Sequence, residues 1–290
     1  NGCKLSEEII SEIKEKLSEL ENVTGKTFGS TTNPLLVSVR SGSVFSMPGM
    51  MDTILNLGLN DESTKGLSDL TENRKFALDS FRRFIQMYGN VVMEIDSKNF
   101  EDIIEKAKKA RGIKFDIELD EDALCEIIDE YKRIVRYGED GGFPSEPEVQ
   151  LIEAVKAVFR SWNNDRAIRY RRMERIPDSL GTAVNVQSMV FGNMGNTSGT
   201  GVAFTRSPVN GDNNVYGEFL VNAQGEDVVA GIRTPKPISE MAESFPEVYE
   251  DFVNIAKVLE QHYKDAQDME FTVERNKLYM LQTRAAKRTA

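Results

Sequence analysis

Two carboxylates, an amide and a guanidinium lie close together near the end of the sequence. Asp268 and Glu270 are two residues apart, and Gln282 and Arg284 follow after a short polar segment. Carboxylate and amide oxygens are the hard ligands that Mg²⁺ prefers. An arginine beside them suits the phosphate oxygens that such a metal would bridge. These four side chains are therefore candidates for a magnesium and phosphate site.

The segment 268–284 alternates with period two around a polar turn, which predicts a β-hairpin. We expect a three-residue loop, Glu274–Asn276, with Asn276 left-handed, so that opposing residues have numbers with an even sum. One face then carries Asp268, Glu270, Thr272, Leu278, Met280, Gln282 and Arg284, and the core face carries Met269, Phe271, Val273, Tyr279, Leu281 and Thr283. A solvated face of a half-exposed hairpin shows the same alternation. The pattern alone leaves both interpretations open.

A second polar group follows the apolar strand predicted at residues 35–39. Arg40 leads directly into the segment 41–53, where Gly42, Gly49 and small hydroxyl side chains would let backbone N–H groups approach a ligand. A strand, an arginine and a glycine-containing loop are typical of a phosphate cradle. An ordinary turn at a strand end is the alternative, since the chain has no Walker sequence.

Helices and strands at regular intervals must position these groups. Apolar spacing predicts a helix over 5–21 with Ser6 as its N-cap, helical structure from about 66 to 136, and a boundary at the Gly- and Pro-rich segment 138–147. Further helices are predicted around 151–162, 165–175 and 252–266. The helix 165–175 holds five arginines. Solvation of a helix surface explains them, and an arginine that faces a polyphosphate is the alternative.

The second half of the chain predicts several strands. Residues 182–191 read as a buried strand whose backbone edge suits an adenine ring. The Gly-rich turn 192–199 leads into a strand near Thr200, and residues 216–230 predict another strand and a turn that presents Glu226. His262 lies on the last helix, where we expect a structural role because no second nitrogen ligand exists.

Composition limits the possible partners and the compartment. The net charge of −11 argues against binding to nucleic acid or to an anionic membrane surface. Two distant cysteines predict a reducing, cytoplasmic-type compartment, with a plastid not excluded. The sequence begins with Asn-Gly rather than Met, so we expect it to be part of a longer protein.

Several segments together resemble a known family. The first two read Leu36-Val-Ser-Val-Arg-Ser-Gly42 and Ser46-Met-Pro-Gly-Met-Met-Asp-Thr53, the latter continuing to Asn60. The others are 81–88, 155–162, 197–206, 222–231, 268–272 and 281–284. In this order they are similar to the N-terminal nucleotide-binding domain of pyruvate, phosphate dikinase, an ATP-grasp fold. The resemblance implies an α+β architecture, with one lobe from 1–58 and 147–190, a helical insertion subdomain over 59–146, and a second lobe over 191–290.

The resemblance also implies residue roles. Arg40 and Arg284 would bind and neutralise the phosphates of ATP, and Asp268, Glu270 and Gln282 would hold Mg²⁺. One phosphate-facing loop would be formed by Gly49, Met51, Asp52 and Thr53, another would contain Thr200 and Gly201, and Gln187, Ser188, Met189 and Val190 would lie along the adenine. Glu226 and Arg83 would lie near the nucleotide, where their family segments place them, with Glu226 a candidate nucleotide-binding residue and neither given a detailed role. Val44 and Phe45 stand where smaller or polar side chains are expected.

The resemblance further implies the partners. The β-phosphoryl group of ATP would pass to a histidine on a separate domain of the parent polypeptide, and inorganic phosphate would take the γ-phosphoryl group. The phosphohistidine domain and the pyruvate site are expected elsewhere in the parent polypeptide, so the fragment is expected to be incapable of the full reaction alone. The family's opening glycine- and lysine-containing segment should precede residue 1. The alternatives are a nucleotide-binding docking module without chemistry and the ATP domain of a related phosphoenolpyruvate synthase.

Overall fold

The computed structural model describes residues 5–135, 143–229 and 233–287. The chain divides into two compact units, Asn1–Met189 and Val190–Ala290. Each mixes helices with strands, which confirms the α+β class. None of the described helices is long and apolar enough to cross a membrane.

Unit 1 begins with a capped helix and a small sheet. Its first elements are helix α1 (Glu7–Thr24) and the paired strands β1 (Thr27–Phe28) and β2 (Pro34–Leu35). Two strands of a larger sheet follow, β3 (Val37–Gly42) and β4 (Thr53–Leu57). The Ser6 side chain accepts a hydrogen bond from the Ile9 amide at 3.3 Å, as predicted for an N-cap, and Gly25 ends α1 in the left-handed conformation.

The helical part of unit 1 contains α2 (Asp61–Thr71), α3 (Arg74–Val91), α4 (Ser97–Arg111) and α5 (Glu121–Ile134). On α3, Phe81, Phe84 and Tyr88 are buried at the three- and four-residue spacing of one helix face. The predicted boundary 138–147 falls partly outside the described residues. That these helices form a separate insertion stays a prediction.

Unit 1 ends with α6 (Pro147–Ser161), α7 (Asp165–Glu174) and β5 (Ala183–Ser188). Its three-stranded antiparallel sheet has the order β4-β3-β5. Val37 and Val39 are fully buried on the face of β3 opposite to Arg40. β5 was predicted to be buried but forms a sheet edge, with Ala183 and Asn185 exposed, because β3 alone among the described strands pairs with it.

Unit 2 is a five-stranded antiparallel sheet in the order β10-β9-β6-β7-β8. Its elements in chain order are β6 (Gly199–Phe204), β7 (Tyr216–Val221), α8 (Gly225–Val229), β8 (Lys236–Pro237), α9 (Met241–Ser244), α10 (Pro246–Tyr263), β9 (Gln267–Glu274) and β10 (Lys277–Ala285). The segment after β7 continues as α8, where the sequence predicted a turn.

One face of this sheet packs against α10. Val248, Phe252 and Ala256 are buried on the helix, and the rings of Phe252 and Phe271 lie 4.6 Å apart between centroids. Burial of a phenylalanine contributes roughly 1.5–3 kcal/mol. The opposite face of β9 and β10 is thereby left to polar residues.

Candidate functional site

The hairpin turn is shorter than predicted. Lys277 pairs with Glu274, so the loop has two residues, Arg275 and Asn276, with φ angles of 50° and 62°. Asn276 is left-handed as expected, but Arg275 is left-handed as well. Two successive left-handed residues form a tight turn that matches the twist of the strands. The predicted three-residue loop is therefore wrong, and opposing residues near the turn have numbers with an odd sum.

A β-bulge at Leu281 restores the predicted register farther from the turn. Met280 pairs with Phe271, but Gln282 pairs with Glu270, so one extra residue stands in β10. Leu278 and Met280 consequently pack against the core, contrary to our prediction. Tyr279 lies opposite Thr272 and away from the core face where we placed it. Beyond the bulge, the predicted polar face is formed.

The polar face beyond the bulge holds three charges in contact. Arg284 Nε donates to Asp268 Oδ2 at 2.7 Å, and Arg284 Nη2 lies 3.5 Å from Glu270 Oε1. All three side chains are between 20% and 27% exposed. Gln282 stands opposite Glu270 in the adjacent strand. The fold therefore brings together two carboxylates, an amide and a guanidinium that the sequence separates by up to 16 residues.

Thr200 and Gly201 lie inside the sheet and not in a loop, which corrects our prediction of a second phosphate loop. The Thr200 hydroxyl donates to the Phe271 carbonyl at 3.0 Å and is buried. A Cβ atom on Gly201 would meet the Phe271 ring at 2.6 Å, so the glycine makes room for that ring on the core side. Their use in phosphate binding stays a prediction.

Helix α8 covers the Thr200 end of the polar sheet face. Val228 packs with Leu220, which the register places beside Thr200 on that face. Glu226 belongs to α8, but its side chain lies outside the described residues.

In unit 1, Arg40 shares a sheet face with other candidate residues. Arg40 pairs with Thr53 of β4 and with Asn185 of β5, and Gln187 is two residues farther along the same face. The Met189 amide donates to the Leu36 carbonyl at 2.8 Å and extends this pairing. Asn185 was not among the predicted site residues. Its position two residues before Gln187 in the strand indicates that both side chains lie on the same face, so the sequence could have identified it.

The loop before β4 is held by helices α6 and α7. Asn164 Nδ2 donates to Asp52 Oδ2 at 2.9 Å, Arg166 also binds the Asp52 carboxylate, and Arg166 Nε donates to the Met50 carbonyl at 3.1 Å. The Met51 side chain packs against the hydrophobic cluster around Trp162. Three of the four candidate residues in and beside this loop, Met51, Asp52 and Thr53, therefore make contacts within unit 1.

Three other residues of this loop are solvent-facing. Gly49 has a φ angle of 69° and open space where a Cβ would stand. Val44 and Phe45 are 86% and 46% exposed. None of these three side-chain positions contributes to the core.

The arginine-rich helix α7 contains one buried arginine. Arg171 is 1% exposed, lies over the Trp162 ring at 4.1 Å, and donates to Asp178 Oδ1 at 2.7 Å. Surface solvation, our expectation for this cluster, is therefore wrong for Arg171, because a flat guanidinium stacks on an indole. It remains correct for the exposed Arg169 and Arg172.

Arg83, a weaker candidate, belongs to a local charge cluster on α3. Arg83 Nε donates to Asp79 Oδ2 at 2.9 Å, and the 3%-exposed Arg82 donates to Asp79 Oδ1 at 2.8 Å. Burial raises the pKa of Asp79, but the two arginines outweigh it and hold that pKa well below its usual range. This arrangement indicates a structural role for Arg83.

The donors on the hairpin suit magnesium better than a softer metal. Within residues 5–135, 143–229 and 233–287, no three His, Cys, Asp or Glu side chains form a metal-binding group. The candidate set is two carboxylates with one amide oxygen, and Mg²⁺ completes such a set with water and phosphate oxygens. The residues present therefore fit a nucleotide-dependent Mg²⁺ site.

The mixed helix and sheet fold is consistent with an α+β nucleotide-binding domain. The family model of the pyruvate phosphate dikinase, AMP/ATP-binding domain matches residues 3–246 and 240–290. The chain belongs to this family. Membership confirms the resemblance inferred from the sequence segments.

Relatives from bacteria and plants support the same conclusion. Pyruvate, phosphate dikinase of Clostridium symbiosum is 56% identical over 100% of this chain and 33% of its own length. The chloroplastic enzyme of Mesembryanthemum crystallinum is 53% identical over 100% of this chain and 30% of its own. The enzyme of Rhizobium meliloti is 52% identical over 100% of this chain and 34% of its own length. The chain thus spans about a third of the length of these relatives.

Proposed function

We propose that this chain binds ATP with Mg²⁺ and donates the β-phosphoryl group of ATP to a histidine on a separate domain. The parent reaction would convert ATP, inorganic phosphate and pyruvate into AMP, diphosphate and phosphoenolpyruvate. The observation that carries the proposal is the contact of Arg284 with both Asp268 and Glu270 on one sheet face. The choice of ATP as the nucleotide rests on membership of the family.

The metal ligands in this proposal are Asp268, Glu270 and Gln282. Bound there, Mg²⁺ would neutralise charge on the polyphosphate during transfer. The three ionised side chains Asp268, Glu270 and Arg284 sum to −1, which is too little negative charge to hold a divalent cation tightly by itself. Metal binding should therefore depend on the phosphates that arrive with ATP.

The protein's own contribution is to bind and orient phosphate oxygens. Arg284 can exchange a carboxylate partner for a phosphate oxygen, since a guanidinium presents five N–H donors in a fixed plane. Arg40 would play the same part in unit 1, with Thr53 beside it on the sheet face. Preorganised cations at the developing charge are the main source of catalysis in phosphoryl transfer.

The acceptor histidine and the pyruvate site would belong to other parts of the parent protein. His262 stands on α10 with its ring against Tyr263 at 4.8 Å, and we assign it no role in transfer. A reducing, cytoplasmic-type compartment remains part of the proposal, because the sequence contains two cysteines far apart.

Calorimetric binding of ATP, with and without Mg²⁺, tests the proposal. We expect Mg²⁺ to strengthen binding in the intact chain and expect a Glu270→Ala, Arg284→Ala double variant to lose it. Arg206 and Glu260 offer a matched control, since they form an ion pair elsewhere in unit 2. Their double alanine variant should bind normally. Equal losses in both double variants would contradict the proposed site.

Transfer itself is tested by supplying the histidine-bearing domain of a relative. Exchange of label between ATP and diphosphate that requires both that domain and inorganic phosphate would support the enzyme. Tight Mg-ATP binding without any exchange would favour a docking module that lacks chemistry.

A further inference from the structure

Helices α2, α3 and α5 of unit 1 form a cleft of about 420 Å³ that has no part in the proposed function. Its apolar floor consists of Ala77, Leu78 and Phe81 of α3 together with Ile128 of α5. Ala77, Phe81 and Ile128 are at most 4% exposed. Small-molecule sites typically enclose about 300–1,000 Å³ and have mostly apolar walls with a few polar groups. The cleft therefore has the size and the floor of a site for a small ligand.

Charged side chains of both signs surround the apolar floor. Near the C-terminal end of α5, Lys132 pairs with Asp61 and lies over the Phe81 ring at 5.0 Å. Near the N-terminal end of α5, Arg74 Nη1 lies 2.9 Å from Glu121 Oε2. The other charged residues that line the cleft are exposed, and they are Lys65, Asp69 and Asp129. A ligand that carries both a carboxylate and an ammonium group would find an opposite charge for each.

One buried hydroxyl group of the cleft has no hydrogen-bond partner. Thr64 lies on the face of α2 that lines the cleft and is 5% exposed. Among the described residues, nothing donates to or accepts from its Oγ1 atom. Buried polar groups are nearly always hydrogen-bonded, so an unpaired one inside a cleft indicates a group that binds there. Thr64 is thus a second sign of a ligand, independent of the charges.

A thiol stands in the same cleft beside a guanidinium. Cys125 is a partly exposed free cysteine that lines the cleft from α5. Its Sγ atom lies 3.9 Å from Arg74 Nη2, while Glu121 holds the other end of the same guanidinium. Accessible cysteines next to a cation are the ones that exchange with disulfides. In a reducing compartment such bonds are transient and usually serve as redox signals.

We propose that Cys125 is a modification site, where the cleft binds the disulfide of a small zwitterionic thiol and keeps one half of it as a mixed disulfide. In the reaction, the Cys125 thiol loses its proton to solvent and its sulfur attacks one sulfur of the ligand. A new S–S bond to Cys125 forms as the S–S bond of the ligand breaks. The second half leaves as a thiolate and takes up a proton. Cys125 is thereby oxidised, and the released half is reduced.

The experiment uses the full 290-residue chain with Cys3→Ser, which leaves Cys125 as its single thiol. Oxidised glutathione, which is zwitterionic, and hydroxyethyl disulfide, which is uncharged, are each added at the same concentration. Mass spectrometry of the intact chain then gives the two rates of mixed-disulfide formation. We expect the ratio of the glutathione rate to the hydroxyethyl rate to be about tenfold larger in the folded chain than in urea, as one charge-assisted hydrogen bond would produce.

Variants of Thr64 test whether the cleft itself selects the ligand. Thr64→Val, which has the same shape without the hydroxyl, should lower the ratio in the folded chain several-fold, and Thr64→Ser should retain it. Thr71→Val is the matched control, since that hydroxyl donates to the Leu67 carbonyl on the same helix and does not line the cleft. Thermal unfolding checks each variant, and Thr64→Ala replaces Thr64→Val if the latter does not fold.

Three results would overturn the inference. The first is a Cys125 thiol that forms no mixed disulfide with glutathione. The second is a ratio of rates that is the same in the folded chain and in urea, because the cleft would then contribute nothing. The third is a ratio that Thr64→Val and Thr71→Val leave equally unchanged, because the unpaired hydroxyl would then not contact the ligand.

Discussion

Replacing Arg284 with alanine should have opposite effects on two ligands. In the structure, its guanidinium lies 2.7 Å from an Asp268 oxygen and 3.5 Å from a Glu270 oxygen. These are the carboxylates proposed to hold Mg²⁺, so the guanidinium competes with the metal until phosphates arrive. Arg284→Ala should therefore strengthen the binding of Mg²⁺ alone and weaken the binding of Mg-ATP.

The magnitude follows from the charges. A Mg²⁺ ion on these carboxylates would stand about 4–5 Å from the guanidinium, where the repulsion is roughly 7 kcal/mol at an effective dielectric of 20 and roughly 2 kcal/mol at that of water. The side chains are about a quarter exposed, so the lower value is the safer one. Even that value exceeds the ~1.4 kcal/mol of a tenfold change. We expect Mg²⁺ alone to bind tenfold tighter or better, and Mg-ATP to bind about tenfold weaker because a charged hydrogen bond is worth roughly 1.5–3 kcal/mol.

Calorimetry measures both affinities, and Mn²⁺ with electron paramagnetic resonance provides an independent probe of the metal. Arg206→Ala is the matched control, since it removes an arginine from another ion pair of unit 2 and should alter neither affinity. A Mg²⁺ affinity that falls or stays constant in Arg284→Ala would refute the reasoning, because the carboxylates would then not be the metal ligands or the arginine would not compete.

Three further outcomes follow from contacts in unit 1. Arg166→Ala should increase proteolysis of the loop 43–52 and weaken Mg-ATP binding several-fold, while the free energy of unfolding changes by less than ~1 kcal/mol because the Arg166 side chain is half-exposed. Arg171→Lys should destabilise the chain by about 2–3 kcal/mol in denaturant unfolding, because lysine can neither stack flat on Trp162 nor keep the hydrogen bonds of the guanidinium to Asp178 and to the Trp162 carbonyl. Asp79→Asn should cost about 3–5 kcal/mol at neutral pH, since the buried Arg82 loses its nearer counter-charge and keeps Asp116 at 3.8 Å. The Asp79 carboxyl has a lowered folded-state pKa, so this contribution is complete above its unfolded pKa of about 3.9 and declines as the pH falls below that value.

Each of these outcomes has a contrary result. Unchanged cleavage of the loop in Arg166→Ala would mean that the remaining contacts of Asp52 suffice. Equal stability of Arg171→Lys would show that the ring contact contributes little. A difference between Asp79→Asn and the unaltered chain that stays constant from pH 7 to pH 3 would contradict the linkage argument.

Local sequence signals located many elements correctly. Ser6 caps α1 as predicted, and a strand begins at Gly199, near Thr200. These features depend on neighbouring residues, since a cap or a period-two run needs no distant partner. The order of the family segments likewise identified the family from the sequence alone. The roles of individual site residues stay predictions.

The register of the β9–β10 hairpin could not be predicted from local sequence alone. Leu278 and Met280 have the same parity as Gln282 and Arg284, so an unbroken strand would place all four on one face. The bulge at Leu281 sends the first two to the core and the last two to the polar face. Two apolar and two polar residues at one parity were a signal for such a break, but its position depends on the pairing with β9.

The sequence by itself determined the family, the mixed α+β class and the set of oxygen and guanidinium groups available for a phosphate site. Tertiary structure alone decided which of them meet: Arg284 with Asp268 and Glu270, and Asp52 with Arg166. The physical reason is that these contacts join residues up to 114 positions apart. Register, burial and backbone hydrogen bonding across the whole sheet fix such contacts, and none of these is encoded in a local pattern.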